Sequence, residues 1–371
     1  MHFPFCKSKC FYCDFNSYAG IEPLMPEYVE CLLLEIKKNL PQHRLIRSVY
    51  FGGGTPSYFP VQSLVSVLQY LKENFLINRA TEITIEANPG TVTAQELILL
   101  YEAGFNRLSL GVQAAQDELL GRIGRIHTWQ DFLAVFQQAR EVGFSNIGID
   151  LMCGLPGQSM EAWRDSLHNV AFLEPEHISA YALQLESNTP LAKMVGDGTL
   201  TLPGEEEVVG MLQMSMDYLR KYGYEHYEIS NYAKPGFHSV HNTGYWSGRD
   251  YLGFGAGAAS TFHENRWSNV SSPREYIRRV KNGQTVVFES ETINPSIAAT
   301  EAIMLGLRMR SGIDLNHFKA QFQFDLSVRA AERIEILRES GLLTCLDDHL
   351  ALTDRGVVVS NYVITSILAG L

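Results

Sequence analysis

Short apolar, β-branched runs alternate with amphipathic segments along most of this chain. Within its 371 residues, strand candidates occupy 48–51, 82–86, 107–112, 146–151, 177–183 and 224–229, and amphipathic helical segments occupy 61–75, 93–103, 128–142, 160–172 and 205–222. Repeats of about 30 residues have the length of a strand–helix–strand unit, in which successive strands run parallel. With the N-terminal stub M-H-F-P-F this makes about seven parallel strands. The alternation predicts an α/β fold built on an open, partial (β/α)6 barrel rather than a closed eightfold one.

The pattern changes after about residue 290. Helical segments at 297–310, 315–321 and 328–340 precede a hairpin-like T-C-L-D-D-H-L-A-L-T and a last helix. We expect two domains: a barrel over 1–290 that carries the functional motifs, and a small, mainly helical, winged-helix-like domain over 291–371. Residues 296–371 carry seven basic and nine acidic side chains, which argues against DNA binding and favours a cap or docking domain.

Charge and composition exclude several classes of protein. Hydrophobic residues make up 46% of the chain, enough for a large folded core, and the net charge of −11 argues against a nucleic-acid partner. No apolar run approaches the roughly 20 residues that span a bilayer, and the N-terminus does not read as a signal peptide. Cys31, Cys153 and Cys345 are scattered, as small core residues are. We expect a cytoplasmic protein; peripheral docking at a membrane and a homodimer both stay open.

Cys6, Cys10 and Cys13 lie in the tight loop C-K-S-K-C-F-Y-C. Their spacing turns three thiolates toward a common point, and no C-x-x-C or H-x3-H partner that would complete a zinc site follows. Cysteine thiolates hold cubane iron–sulfur clusters, and with three ligands one iron keeps an open position. That iron could bind the amine and carboxylate of S-adenosylmethionine (SAM). Three free thiols or a zinc half-site are the alternatives.

Glycines and polar residues follow the predicted strands, where ligands gather in folds of this kind. Gly53, Gly54 and Thr55 belong to G-G-G-T-P, whose backbone can approach a ligand closely, although glycine after a strand is also ordinary turn chemistry. A strand-end carboxylate can accept hydrogen bonds from a ribose or an amine, and an arginine can clamp a carboxylate. The polar candidates for one shared pocket are Glu86, Gln113, Arg125 and Asp150.

Together these motifs resemble the oxygen-independent coproporphyrinogen III oxidase family of radical-SAM proteins. The matching stretches are H-F-P-F-C-K-S-K-C-F-Y-C, F-G-G-G-T-P-S, I-E-A-N-P-G, R-L-S-L-G-V-Q, D-L-M-C-G-L-P-G-Q, H-I-S-A-Y-A-L and Y-E-I-S-N-Y-A, which cover nearly the full chain. The resemblance implies a [4Fe–4S] cluster on the three clustered cysteines and SAM as a second cofactor. By match of motif, SAM would contact Tyr12, Gly53, Gly54, Thr55, Glu86, Gln113, Arg125, Asp150, Ala182 and Ala259. A tyrosine that the family carries on the strand before the cluster loop would fall before Met1, which leaves both that SAM contact and the true N-terminus open.

The resemblance leads to two branches that share these motifs. In the oxidases, a deoxyadenosyl radical takes hydrogen from propionate side chains of coproporphyrinogen, which then lose CO2; members of the other branch are understood to bind heme and pass it to acceptor proteins. The oxidases carry a further cysteine two residues after the third cluster ligand, where this chain has Phe15, and an N-terminal extension before the cluster loop. H-N-T-G-Y-W at 241–246 is the mark of the heme-binding branch.

Within that motif, His241 offers an imidazole to heme iron, with Asn242 beside it, and Tyr245 and Trp246 offer flat faces to a porphyrin. The alternative for His241 and Asn242 is a hydrogen-bonding role in a loop. The resemblance implies a heme chaperone that delivers heme to hemoproteins, membrane-bound respiratory ones among them. The oxidase is the alternative function, and a binding scaffold with a vestigial cluster is a third; whether the protein cleaves SAM as an enzyme stays open.

Overall fold

The computed structural model of the protein describes residues 1–39 and 45–371. Its largest unit is an eight-stranded sheet made of β1 (His2–Phe3), β2 (Ser48–Gly53), β3 (Glu82–Ala87), β4 (Arg107–Gln113), β5 (Ile147–Cys153), β6 (His177–Ala182), β7 (Glu225–His226) and β8 (Asn231–Ala233). The strand order is β1-β2-β3-β4-β5-β6-β8-β7, and β1 to β6 are parallel. The expected partial barrel is confirmed.

The strand expected at 224–229 is present as the short β7, which runs in the same direction as β6. It does not pair with β6, because the chain turns back in a hairpin and β8 lies between them, antiparallel to β6 through Ser179 and Asn231. The turn of the hairpin is held by Glu228, whose carboxylate accepts a hydrogen bond from the Ser230 N–H. No crossover helix separates β7 from β8, and a hairpin returns its strand antiparallel.

Helices cover the outside of the barrel and connect its strands. They are α1 (Met25–Asn39), α2 (Val61–Asn74), α3 (Ala94–Ala103), α4 (Asp117–Arg122), α5 (Trp129–Val142), α6 (Met160–Phe172), α7 (Pro190–Gly196), α8 (Glu205–Lys221), α9 (Val240–Trp246) and α10 (Pro273–Lys281). Capping boxes at Thr93 and Thr128 start α3 and α5, and Gly104 and Gly143 end them in the left-handed conformation. These local signals explain why the observed bounds agree closely with the predicted ones.

Side chains alternate along the strands between the helix layer and the barrel lumen. On β2, Val49 and Phe51 are buried in the main hydrophobic core, whereas Tyr50 lines the interior cavity. On β4, Leu108 and Leu110 join that core, and the intervening polar residues face inward. The lumen is therefore polar, with the core lying between the strands and the outer helices.

A second sheet closes the edge of the barrel next to β1. It consists of β9 (Ala259–Phe262), β10 (Asn265–Asn269) and β11 (Val287–Thr292). The glycine-rich segment before β9 docks on β1: the His2 N–H donates to the Phe254 carbonyl across 2.8 Å, and the Gly255 N–H donates to the buried Glu35 carboxylate across 2.8 Å. This segment covers a strand edge that would otherwise present unpaired backbone groups.

The C-terminal region has its own hydrophobic core. It contains α11 (Pro295–Gly306), β12 (Ile313–Asp314), α12 (Leu315–Phe322), α13 (Leu326–Arg329), α14 (Ala331–Glu339), β13 (Leu343–Leu346), β14 (His349–Leu352), α15 (Asp354–Val358) and α16 (Ser360–Leu368). A three-stranded sheet with the order β12-β14-β13 packs with these helices, in the manner of a winged-helix unit. The domain boundary expected after residue 290 stays a prediction.

Two further expectations concern the chain as a whole. Across the described ranges, no helix is both long enough and apolar enough to cross a membrane. Cys31 and Cys153 are buried in the barrel core, and Cys345 packs half-buried against the C-terminal core.

Candidate functional site

A cavity of about 600 Å³ opens at the carboxyl ends of the barrel strands. Its volume lies in the range of small-ligand sites in proteins. All three clustered cysteines line it, together with every predicted SAM contact except Ala259. The predicted residues on its wall are Cys6, Cys10, Tyr12, Cys13, Gly53, Gly54, Thr55, Glu86, Gln113, Arg125, Asp150 and Ala182.

Backbone hydrogen bonds at several points fix the cysteine loop at the mouth of this cavity. The Cys6 N–H donates to the Tyr18 carbonyl across 2.8 Å, and the Cys13 N–H donates to the Cys10 carbonyl across 3.2 Å, which closes a tight turn. Between these points, the Phe11 N–H donates to the Ile123 carbonyl across 3.0 Å. The loop is thus tied both to itself and to the segment that carries Arg125.

Each of the three sulfur atoms has a hydrogen-bonding partner among the cavity residues, and that of Cys13 Sγ is Ser17 Oγ at 3.9 Å. Thr55 Oγ1 donates to Cys6 Sγ across 3.6 Å, and Arg125 Nη1 donates to Cys10 Sγ across 3.5 Å. Asn88 links the two donors, because its Nδ2 donates to Thr55 Oγ1 across 3.0 Å and its Oδ1 accepts from Arg125 Nη2 across 2.6 Å. A single hydrogen-bonded chain therefore runs from one cysteine sulfur to another.

The cysteine loop supplies three thiolates, which is the ligand chemistry of an iron–sulfur cluster. In the described part of the chain, no group of three or more His, Cys, Asp or Glu side chains is arranged to hold one metal ion. A cubane instead spreads its thiolates over different irons, and hydrogen bonds to the sulfurs tune it. Gly54 leaves room beside the loop, since a β-carbon there would lie 3.0 Å from Cys6 Sγ. Burial raises the pKa of the Cys6 thiol, and the bond from Thr55 opposes that rise.

Glu86 is held from two sides at the cavity wall. Its Oε1 accepts a hydrogen bond from the Tyr50 hydroxyl across 2.7 Å, and its Oε2 accepts one from the Gly53 N–H across 3.1 Å. Burial raises the pKa of this carboxyl, and both hydrogen bonds oppose the rise. Gly53 reaches this position with φ of +119°, a conformation that favours glycine. The carboxylate is fixed, with lone pairs left over for a ligand hydroxyl or amine.

Gln113 ends β4, and Asp150 lies in the middle of the neighbouring β5, on the same wall. Gln113 has φ of +74°, uncommon for a residue with a side chain, and its Oε1 accepts a hydrogen bond from the Tyr181 hydroxyl across 3.1 Å. Asp150 Oδ2 accepts from Ser109 Oγ across 3.4 Å, and burial raises the pKa of its carboxyl. The structure therefore brings the predicted strand-end residues into one pocket.

The H-N-T-G-Y-W motif lies at the opposite end of the lumen and forms α9. Glu82, at the start of β3, accepts hydrogen bonds from the Val240 and His241 N–H groups at 2.9 and 3.0 Å, so a carboxylate caps the helix N-terminus. Of the four predicted heme residues, Asn242 reaches the deep end of the cavity. His241, Tyr245 and Trp246 do not line it.

The imidazole of His241 is packed between aromatic rings. It stacks on Tyr50 with ring centroids 4.5 Å apart, and Tyr245 meets it edge-on at 4.7 Å. His241 Nδ1 lies 3.2 Å from Ser48 Oγ, which leaves Nε2 as the ring nitrogen for iron. Burial, more than the nearby positive charges, lowers the pKa of His241 to about 3, so the ring is neutral, the form that binds metals. Farther along α9, the Arg308 guanidinium covers the Trp246 ring at 5.4 Å.

The SAM contact expected at Ala259 is not supported by its position. Ala259 is exposed at the start of β9 and pairs with Ser268 of β10, away from the cavity wall. The tight docking of the preceding segment on β1 turns the chain outward before it reaches this residue.

Sequence reasoning missed several residues of the lumen. Asn88 lies inside the motif I-E-A-N-P-G but was given no role. Tyr50 lies in the middle of β2 and Arg107 at the start of β4, before the strand ends where polar residues were expected. A signal was available, because polar residues alternate with apolar ones in S-V-Y-F, E-I-T-I-E and R-L-S-L. Strands of a parallel sheet usually read as continuous apolar runs, so this alternation indicates a polar interior.

Comparison with known proteins agrees with this geometry. The family model described as "Radical SAM superfamily" matches residues 1–170, and that described as "HemN C-terminal domain" matches residues 294–359. The solved coproporphyrinogen III oxidase (HemN) from Escherichia coli, described as a radical SAM enzyme, is 24% identical, with a TM-score of 0.85 over 100% of this chain and 89% of the other. That likeness shows the fold. Fold and cysteine loop together define a radical SAM protein.

Two full-length relatives are more similar in sequence. "Heme chaperone HemW" of Bacillus subtilis (strain 168) is 34% identical over 380 residues, which cover 100% of this chain and 99% of the relative. "Heme chaperone HemW" of Lactococcus lactis subsp. lactis (strain IL1403) is 33% identical over 367 residues, covering 99% and 96%. The chain belongs to the family of these heme chaperone HemW proteins, within the radical SAM superfamily.

Proposed function

We propose that the protein is a heme chaperone that binds a [4Fe–4S] cluster, SAM and heme, and that passes heme to acceptor hemoproteins in the cytoplasm or at the membrane. The observation that carries this proposal is the full-length similarity to proteins named heme chaperone HemW, at 34% and 33% identity. The site supplies independent support, because its cysteines and the carboxylates of Glu86 and Asp150 share one cavity.

In this proposal, Cys6, Cys10 and Cys13 hold the cluster. A bound cluster supplies an iron with an open position, to which the amine and carboxylate of SAM can bind. Thr55 and Arg125 donate to two of the sulfurs and stabilise their negative charge. Glu86 accepts hydrogen bonds from SAM, since it is already oriented by Tyr50 and Gly53.

Heme is the cargo, and His241 is the proposed iron ligand. Its neutral imidazole and its two aromatic neighbours suit a flat, iron-containing ligand. Tyr245 is exposed beside it, so a porphyrin has an aromatic surface that it can reach from outside the barrel. At the other end of the lumen, Phe15 is 71% exposed next to the cysteine loop and offers an apolar contact to a partner protein.

The test is anaerobic reconstitution with iron and sulfide, followed by heme titration in the presence of SAM. We expect a Soret band in the wild-type protein and a weaker or shifted band in His241→Ala, because the axial ligand is lost. His263→Ala is the matched control, since His263 has a side chain that is 63% exposed. The same His241→Ala protein should keep its cluster and its SAM affinity.

Two results would contradict the proposal. One is heme binding that is indifferent both to His241 and to the Tyr245–Trp246 pair. The other is turnover of coproporphyrinogen by the cluster-loaded protein with SAM and a reductant, which would establish the oxidase instead.

A further inference from the structure

The cavity extends below the residues proposed to bind SAM. Arg107 lies on its wall at the start of β4, where it pairs with Thr84, two residues before Glu86. At about 3.3 Å per strand residue, the Arg107 backbone is roughly 7 Å deeper along the sheet than that of Glu86. Asn231 of β8 and Asn242 of α9 also line the cavity, from two other elements.

Arg107 is a buried cation without a close protein partner. The residue is only 2% exposed, and its Nε is fully enclosed with no hydrogen-bond acceptor. Throughout residues 1–39 and 45–371, its guanidinium makes neither a hydrogen bond nor an ion pair. A buried, unpaired charge is costly in a folded protein, so its presence on a cavity wall indicates a place where an anion binds.

The surroundings make room for this guanidinium. Gly148, on the adjacent strand, has no side chain, and a β-carbon there would lie 3.1 Å from Arg107 Nη2 and 3.5 Å from His177 Nδ1. His177 Nδ1, beside the same glycine, is buried and also lacks a partner. Two polar groups from two strands thus have unused hydrogen-bonding capacity around Gly148.

The charges around this point favour a single negative charge. Glu86 and Asp150 are the carboxylates that act electrostatically together with Arg107, but both are already hydrogen-bonded elsewhere, and neither forms an ion pair with it. The negative charges of these two carboxylates disfavour the binding of a doubly charged anion such as phosphate. A planar guanidinium matches a carboxylate through two parallel hydrogen bonds, and the side-chain amide of Asn242 on the cavity wall can add a further donor.

We propose that the deep end of the cavity is a carboxylate-binding subsite centred on Arg107, which takes the carboxylate of a small organic acid, or of one arm of a larger ligand, beside SAM. The subsite goes beyond the proposed heme and SAM sites, and it can be tested in the full chain without cluster, SAM or heme. Failure here would leave the heme proposal standing.

The experiment measures thermal unfolding of the full-length protein with sodium propionate, with propionamide and with sodium chloride at equal ionic strength. We expect propionate alone to raise the melting temperature in a saturable way. Arg107→Gln should lower the affinity for propionate at least tenfold. Arg107→Lys keeps the positive charge but loses the two parallel N–H donors of the guanidinium, so it should lower that affinity less. Should Arg107→Gln fail to fold, Gly148→Ala takes its place, because the added methyl group narrows the same space.

A second measurement shows whether Arg107 binds the carboxylate of a second ligand or the carboxylate of SAM itself. S-adenosylhomocysteine affinity, measured by calorimetry, should be unchanged in Arg107→Gln if the subsite serves a second ligand. The proposal is overturned if propionamide acts like propionate, if wild-type protein does not respond to propionate, or if the variants respond as wild type does. It is also overturned if Arg107→Gln lowers the affinity for S-adenosylhomocysteine as strongly as Glu86→Ala does, because Arg107 would then bind the SAM carboxylate.

Discussion

The Arg125 guanidinium donates a hydrogen bond to the sulfur of Cys10 across 3.5 Å. The same side chain is anchored by Asn88 at 2.6 Å and by the carbonyl of Gly111. A positive charge is therefore fixed next to one proposed cluster ligand, at a position where it lowers the energy of the more negative, reduced state of a cluster.

Replacing Arg125 by Met should make the reduced cluster less stable. Loss of one hydrogen bond, worth roughly 1 kcal/mol, corresponds to a shift of about 40 mV to more negative potential for one electron. Redox titration of the reconstituted protein, followed by electron paramagnetic resonance, measures this shift. Arg164→Met is the control, because it removes the same charge from the exposed surface of α6. An unchanged potential in Arg125→Met would show that the contact with Cys10 does not act on the cluster.

Gly53→Ala should destabilise the fold more than an equivalent change at Gly90. Both glycines have positive φ, +119° and +82°, so alanine at either position costs about 1–2 kcal/mol of unfolding free energy. At Gly53 the new methyl group would also lie 2.3 Å from the His2 ring, whereas nothing lies within 4 Å at Gly90. We expect that overlap to lower the unfolding free energy by roughly a further 1–3 kcal/mol. If urea unfolding showed equal losses of unfolding free energy for Gly53→Ala and Gly90→Ala, the ring of His2 would have to move aside at no cost.

Glu86→Ala and Asp150→Ala should both weaken SAM binding to the cluster-loaded protein. Each removes a charge-assisted hydrogen bond worth roughly 1.5–3 kcal/mol, which corresponds to a 10- to 150-fold loss of affinity. Calorimetry checks the prediction, with Glu73→Ala on the exposed side of α2 as the control. Unchanged affinity in both variants would show that SAM does not use this wall of the cavity.

Glu228 should make the stability of the protein depend on pH. The side chain is almost fully buried at the β7–β8 turn, and burial raises the pKa of its carboxyl from the ordinary 4.5 to about 7. The folded state thus holds this proton more tightly than the unfolded state does. The contribution that this bound proton makes to the unfolding free energy is fully present below pH 4.5 and is lost as pH rises through about 7.

Glu228→Gln should therefore be more stable than wild type at pH 8, by up to roughly 3 kcal/mol, and similar to it near pH 4.5. Urea unfolding at several pH values measures the difference. Glu335→Gln serves as the control, because that carboxylate is exposed on α14. A Glu228→Gln variant with the same pH dependence as wild type would contradict the raised pKa.

The sequence predicted the residues that sit where a strand ends and a loop begins. Glu86 and Gln113 lie at the carboxyl ends of their strands, and parallel strands bring such positions together at one edge whatever the details of packing. Asp150 was expected at a strand end but lies in the middle of β5. The cysteine loop was predictable for a similar reason, since its ligands are close in sequence. Short stretches of sequence are therefore enough to predict this half of the site.

The other half depends on contacts between distant segments. The placement of His241 follows from Glu82, which holds the start of α9 from a position 159 residues earlier in the chain. The outward turn before Ala259 follows from docking on β1. The length and composition of an apolar run do not show whether a helix or a hairpin comes next, which is why β8, inserted between β6 and β7, was not predicted. Such outcomes are decided by tertiary packing rather than by local pattern.

Tyr50 touches both ends of the lumen at once, with its hydroxyl on Glu86 and its ring on His241. A ligand that draws the Glu86 carboxylate toward itself also acts on the ring that supports the imidazole. Equilibrium linkage requires any such influence to be mutual: the factor by which nucleoside binding changes porphyrin affinity must equal the factor by which the porphyrin changes nucleoside affinity. In the proposed function, this one tyrosine is a physical route by which loading and release of heme would depend on what occupies the opposite end of the lumen.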